Sequence, residues 1–258
     1  MPGTGKTTTV AHIIRALVEN GKSVLLTSYT HTAVDNTLLK LKNDGIKMLR
    51  LGSITKVRFY TIWVDFRCIQ KYVSSQWEGV YKRKRLRSYM RYIILLSSSP
   101  QPVLALTSTS SILIINHSFI FNKRKFDYCI VDEASQITLP ACIGPLRYAS
   151  RFVLVGDHYQ LPPLVRNAEA QKGGLDVSLF KLLSEAHPSA LTILEHQYRM
   201  NEDIMLLSNS LVYDGLLKCG NESVAKRVLQ IPNLAQLARA RFWVRDVLSD
   251  KCGCYFSV

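Results

Sequence analysis

Residues 1–8 read Met1-Pro2-Gly3-Thr4-Gly5-Lys6-Thr7-Thr8, and this octet governs how the rest of the chain is read. It has the spacing of the G-x-x-x-x-G-K-[ST] loop: glycines that let backbone N–H groups close on phosphate oxygens, a lysine that reaches the β- and γ-phosphates, and a hydroxyl able to hold Mg²⁺. Gly3, Thr4, Gly5, Lys6 and Thr7 are therefore the candidate nucleotide-binding residues, Thr7 doubling as a metal ligand. The competing reading is a chance Gly/Thr-rich stretch, and the helix that follows at the right place argues against it. Counting back from Gly5 puts the pattern's first glycine one residue before Met1, so the sequence is expected to be part of a larger protein.

Outward from the loop, Val10, Ile13, Ile14, Leu17 and Val18 recur at helical spacing and predict a helix over Thr9 to Asn20. Lys22 to Thr27 predicts a buried strand, and Val34, Leu38 and Leu41 a second helix closing at Gly45. Val103 to Thr107, Phe126 to Val131 and Arg151 to Val155 are short apolar runs of the kind found in parallel strands covered on both faces. The alternation argues for an α/β doubly wound parallel sheet. Beyond Pro188 a new unit is expected, with a strand over Leu191 to Leu194 and a helix over Glu202 to Val212 that turns Ile204, Leu207 and Leu211 inward. Residues 58–100 show no clear face.

Composition agrees with a folded, anion-binding chain. Its 258 residues are 47% hydrophobic, and 33 Lys+Arg against 19 Asp+Glu leave a net charge of +14. A core can form, and a polyanionic partner, nucleic acid first, is expected. No run reaches the 18 or so apolar residues of a membrane span, so no membrane partner is expected. Six irregularly spaced cysteines give no zinc pattern and suggest a reducing compartment.

Three further words carry chemistry. Phe126 to Val131 runs into Asp132-Glu133, where a strand end offers one carboxylate to hold Mg²⁺ and a second to activate water. Asp132 is the candidate metal ligand and Glu133 the candidate base. Gly156-Asp157-His158-Tyr159-Gln160-Leu161-Pro162-Pro163 follows the next strand and puts the Gln160 amide on the same sheet edge, within reach of a γ-phosphate or the attacking water. In Glu195-His196-Gln197-Tyr198-Arg199-Met200-Asn201, Arg199 is either an arginine finger or a surface arginine in a turn. Thr27-Ser28-Tyr29-Thr30-His31-Thr32 is open in the same way: Ser28, Tyr29 and Thr30 could hold a single strand, or the hydroxyls could simply cap a helix.

Taken in order, these words resemble the superfamily 1 helicases, and within them the eukaryotic DNA replication helicase/nucleases. The resemblance rests on Pro2 to Thr7, Leu25 to Asn36, Val131 to Gln136, Val155 to Val165 and Gln197 to Asn201. It implies a RecA-like P-loop NTPase domain over 1–188, lacking its first strand and holding 58–100 as an unassigned insert. It also implies an incomplete second RecA-like domain over 189–258. ATP and Mg²⁺ would be the cofactors, with Lys6 and Thr7 binding them, Asp132 and Glu133 running hydrolysis, Gln160 sensing the γ-phosphate and Arg199 completing the pocket. The family's next DNA-contact word stands here as Ala105-Leu106-Thr107-Ser108, which assigns Thr107 and Ser108 to the strand. Single-stranded DNA, replication and repair proteins and a nuclear location, with mitochondria as a second site, follow from the same likeness. The family's nuclease domain and iron-sulfur cysteines are expected upstream of Met1, and two further motifs after Val258. An RNA helicase of the same branch and a non-enzymatic nucleic-acid-binding remnant remain alternatives, whereas a small-molecule P-loop kinase has no use for the Gln160 and Arg199 words. The basic run Lys82-Arg83-Lys84-Arg85-Leu86-Arg87, with Arg91, reads as a phosphate-tracking surface, a nuclear import signal or a solvated face.

Overall fold

The computed structural model describes residues 1–52, 62–65, 103–107 and 125–227. Six strands form one sheet: β1 (Val24–Ser28), β2 (Met48–Gly52), β3 (Ile62–Asp65), β4 (Val103–Thr107), β5 (Phe126–Asp132) and β6 (Ala149–Leu154). Their order is β3-β2-β4-β1-β5-β6, and every neighbouring pair is parallel. Parallel strands need crossovers, and the crossover helices cover both faces, which is why β1 is buried along its whole length. Alternation along β1 divides the core. Val24 and Leu26 join α1 (Lys6–Glu19) and α2 (His31–Leu41) through Val10, Ile14, Val34, Leu38 and Leu41. Leu25 faces the other way, into a cluster with Leu104, Leu106 and Val131 that Cys142 of α3 (Leu139–Leu146) and Phe180 of α5 (Leu179–Ala186) close, α4 being the short helix Ala168–Lys172. All strand carboxyl ends share one edge, where doubly wound sheets take their ligands.

The α/β parallel sheet expected from the sequence is therefore present, with small shifts of boundary. β2 had no sequence signal of its own, because Arg50 interrupts its apolar run. That guanidinium is fully buried and lies 3.0 Å from the Asp35 carboxylate of α2, with a second nitrogen 3.1 Å from His31 Nδ1. Burial lowers the Arg50 pKa and the bond to Asp35 opposes that shift.

Two expectations beyond Pro188 fail. Leu191 to Leu194 forms no strand; Leu191 instead packs against the core of the large sheet. The strand of this unit is β7 (His196–Gln197), paired in parallel with β8 (Lys218–Cys219). The helix begins as expected, α6 (Glu202–Ser208), and continues as a π-helical turn over Asn209–Tyr213. Its inward face is not the one expected: Ile204, Leu207 and Leu211 are 55%, 49% and 73% exposed, while Met205, Asn209 and Tyr213 are buried. Asn209 decides the phase. Its side chain exchanges two hydrogen bonds with the backbone of Leu217, at 2.8 and 3.0 Å, so a polar residue takes the inward position. A short helix, α7 (Glu222–Ala225), follows β8. Among the described residues no helix is long and apolar enough to cross a membrane.

Candidate functional site

The loop before α1 is built for an anion. Gly3 and Gly5 take positive φ, 68° and 81°, which glycine adopts without a Cβ penalty. Gly5 is the N-cap of α1 and no side chain caps the helix, so the first N–H groups meet the cavity as backbone donors at the positive end of the helix dipole. The Thr4 hydroxyl and the Lys6 ammonium both donate to the carbonyl of Met1, each at 2.9 Å, and so fold the loop upon itself. Gly3 to Thr8 form one wall of a cavity of about 460 Å³. Glu133, Tyr198, Arg199 and Arg227 complete its lining.

Glu133 arrives there by an unusual backbone. It directly follows β5 with φ 53°, one of two non-glycine residues in the left-handed region among those described. Such a conformation costs of order 1 kcal/mol or more and persists only where its surroundings hold it. Here Ala134 N–H donates to Val155 O at 2.8 Å, and Gly156 sits so close to Ser135 that a Cβ would lie 2.9 Å from the Ser135 nitrogen. The end of β5 is thus clamped to the end of β6. Asp132, 2% exposed, accepts from Glu133 N–H at 3.0 Å. Burial first, and the neighbouring Glu133 charge second, push its carboxyl up to about 6, while Lys6 pulls the other way. A buried carboxylate so placed is stabilised by a cation, and with the Thr7 hydroxyl on the cavity wall the donors fit Mg²⁺ carried by a nucleotide.

Arg199 is delivered by Gln197. This side chain is fully buried, and its oxygen accepts from the N–H groups of Arg199 and Met200 at 2.8 and 2.7 Å while its nitrogen donates to Met200 O at 2.7 Å. The turn so fixed also lets Tyr198 N–H donate to Gly3 O at 2.9 Å, and a Cβ on Gly3 would lie 2.7 Å from Arg199 Cβ. The phosphate loop and the arginine turn therefore touch directly. The Tyr198 ring lies across Gly220, where a Cβ would come within 2.1 Å of the ring.

Of the residues singled out from the sequence, Gly3, Thr4, Gly5, Lys6, Thr7, Glu133 and Arg199 line one cavity. Asp132 lies buried at the strand end beside Glu133. Gln160 does not line the cavity. It is exposed, and its amide donates to Asp157 at 2.7 Å, because that buried carboxylate gathers donors, Tyr213 O–H at 2.9 Å among them. Ser28 is fully buried, and its hydroxyl, like that of Thr27, lacks a hydrogen-bond partner. Thr30 caps α2, its hydroxyl accepting from Ala33 N–H at 3.2 Å, and Tyr29 stands 36% exposed beside it. Thr107 ends β4 in register with Ser28. Ser108 and the basic run from Lys82 to Arg91 lie outside the described residues. The sequence reading gave no role to Gln197, Tyr198, Gly220 or Arg227; Gln197 and Tyr198 stand inside a quoted word, and nothing near Arg227 signals a site.

Comparison with known proteins is consistent with this geometry. Residues 1–87 and 106–168 match the AAA domain family, and 175–253 match a second AAA domain family. The chain is 49% identical over 262 residues to the DNA replication ATP-dependent helicase/nuclease of Schizosaccharomyces pombe, covering 99% of this chain and 17% of that protein. It is likewise 49% identical to the DNA replication ATP-dependent helicase/nuclease of Homo sapiens, over 90% of this chain and 20% of that protein. It thus spans a fifth or less of these two relatives. A solved complex of arterivirus nonstructural protein 10, a helicase, with DNA shares the fold at a TM-score of 0.52 and 16% identity, over 90% of this chain and 43% of that one. The chain belongs to the AAA domain family, in the RecA-like form that superfamily 1 helicases carry.

Proposed function

We propose that this chain is the ATP-hydrolysing part of a DNA replication and repair helicase/nuclease. It couples hydrolysis to movement along single-stranded DNA and unwinding, and a nuclease domain elsewhere in the full protein processes flaps. The observation that carries the reading is that the phosphate loop, Glu133 and Arg199 converge on one cavity although they are far apart in sequence. Backbone N–H groups of the loop and the Lys6 ammonium hold the β- and γ-phosphates. Thr7 and Asp132 would hold Mg²⁺, which when bound would draw charge from the phosphate oxygens. Glu133 takes the proton of the attacking water, and Arg199 stabilises the charge that develops as the γ-phosphoryl leaves. Tyr29 and Thr30, with Thr107, form the contact with single-stranded DNA at the carboxyl ends of β1 and β4. Gln160 reaches the γ-phosphate only if it exchanges Asp157 for it. In this reading the protein works in the nucleus, and also in mitochondria, among replication and repair proteins. Any iron-sulfur cluster belongs to the nuclease part.

The test compares Lys6→Ala with Glu133→Gln in the full protein. Lys6→Ala should lose ATP binding, whereas Glu133→Gln should bind ATP normally and lose single-strand-stimulated hydrolysis by about 10²-fold or more. Equal loss of binding in both variants refutes the separate roles. Stimulation by single-stranded RNA but not DNA replaces the DNA substrate by RNA.

A further inference from the structure

Segment 220–227 is shaped to bring one cation to the nucleotide cavity. Gly220 begins it, bonded through its N–H to Gln197 O at 2.8 Å and lying beneath the Tyr198 ring. Asn221 caps α7, accepting from Val224 N–H at 2.9 Å and from the Ser223 hydroxyl at 2.8 Å. Val224 anchors the turn, 3% exposed, and Arg227 N–H closes it on Val224 O at 3.2 Å. The consequence is an exposed Arg227 on the cavity wall with Gly3, Lys6 and Arg199. Lys6, Arg199 and Arg227 line that cavity with Glu133, and the Asp132 carboxyl lies buried beside it. Positive charge around a phosphate loop is complementary to the phosphate chain of a nucleoside polyphosphate.

We infer that Arg227 is a further nucleotide-binding residue, whose guanidinium contacts the phosphate chain within the cavity it shares with the loop. This rests on reading the cavity as the ATP site. The contact belongs to the bound nucleotide and not to the cleavage step, because Glu133 and Arg199 already serve the γ-phosphoryl group.

The experiment measures binding of a fluorescent ATP analogue with Mg²⁺ to the full protein and to four variants. Arg227→Ala should weaken binding about three- to tenfold, and Arg227→Lys should recover at most part of the loss, because it keeps the charge and loses the fork. Lys226→Ala, whose side chain pairs with Glu222 on the surface, should bind as the parent does. Lys6→Ala separates the two claims: if it binds ATP normally, the cavity is not the ATP site. If Lys6→Ala fails to bind while Arg227→Ala binds like the parent, only the role of Arg227 is overturned. Loss in Arg227→Lys as deep as in Arg227→Ala supports a contact made by the planar guanidinium fork.

Discussion

At the scale of single residues, the site depends on atoms that are missing as much as on those present. Gly3 and Gly220 each lie where a Cβ would collide with the arginine turn, the first with Arg199 and the second with the Tyr198 ring. Gly220→Ala is therefore expected to destabilise the chain by roughly 1–3 kcal/mol and to weaken ATP binding, because the ring must leave the position it holds on the cavity wall. If the collision is the cause, Tyr198→Ala should remove most of the additional effect of Gly220→Ala. A double-mutant cycle read by urea unfolding measures this, and additive losses would refute the ring clash. Glu133 shows the opposite case, a side chain retained in a backbone region that favours glycine. The sequence word Asp132-Glu133 announced the chemistry, but the φ of 53° that aims Glu133 comes from the clamp between the ends of β5 and β6.

At the scale of elements, α2 and β2 are joined through a buried charge pair. The Arg50 guanidinium is wholly removed from water and the Asp35 carboxylate lies 3.0 Å away. Removing Asp35 takes from the buried guanidinium the carboxylate it holds at 3.0 Å, whereas exchanging both for apolar residues avoids burying either charge. Asp35→Ala should accordingly lower stability by roughly 3–5 kcal/mol, and Asp35→Leu combined with Arg50→Leu should recover a large part of it. Chemical denaturation of the three proteins checks the order; a double variant no more stable than Asp35→Ala refutes it. The pair also explains why β2 was invisible in the sequence. An arginine within an apolar run reads as a break in a strand until a carboxylate fifteen positions earlier is seen to lie beside it. The exposed apolar face of α6 has a similar origin, since hydrophobicity alone phases that helix on Ile204, Leu207 and Leu211, and the two bonds from Asn209 to Leu217 rephase it.

At the scale of the whole molecule, the two units meet where the chemistry is. Tyr213, buried in the second unit, donates to Asp157 at the end of the large sheet, 56 residues earlier, and the same carboxylate oxygen accepts from Gln160. Burial, and then the Asp157 bond and charge, push the Tyr213 hydroxyl up to about 12, so it stays protonated and donating through the physiological range. Tyr213→Phe keeps the ring and deletes the bond. It should cost about 1 kcal/mol in stability and alter the response of ATP hydrolysis to single-stranded DNA more than basal hydrolysis, because Gln160 then holds Asp157 without a competitor from the second unit. Steady-state hydrolysis with and without DNA reads the difference, and proportional change in both rates refutes the link.

The sequence by itself determined the parallel α/β sheet and most of the residues that line the cavity. Buried parallel strands are short apolar runs, and a phosphate loop depends on glycine, lysine and threonine at fixed local spacing, so both are written in neighbouring residues. Only the tertiary structure decided that Gln160 serves Asp157, that Ser28 is buried, that Gln197 holds the turn of Arg199 and that Arg227 reaches the cavity. Each of these depends on which buried polar group finds its partner from a distant part of the chain, and that pairing is set by packing, which local spacing does not encode.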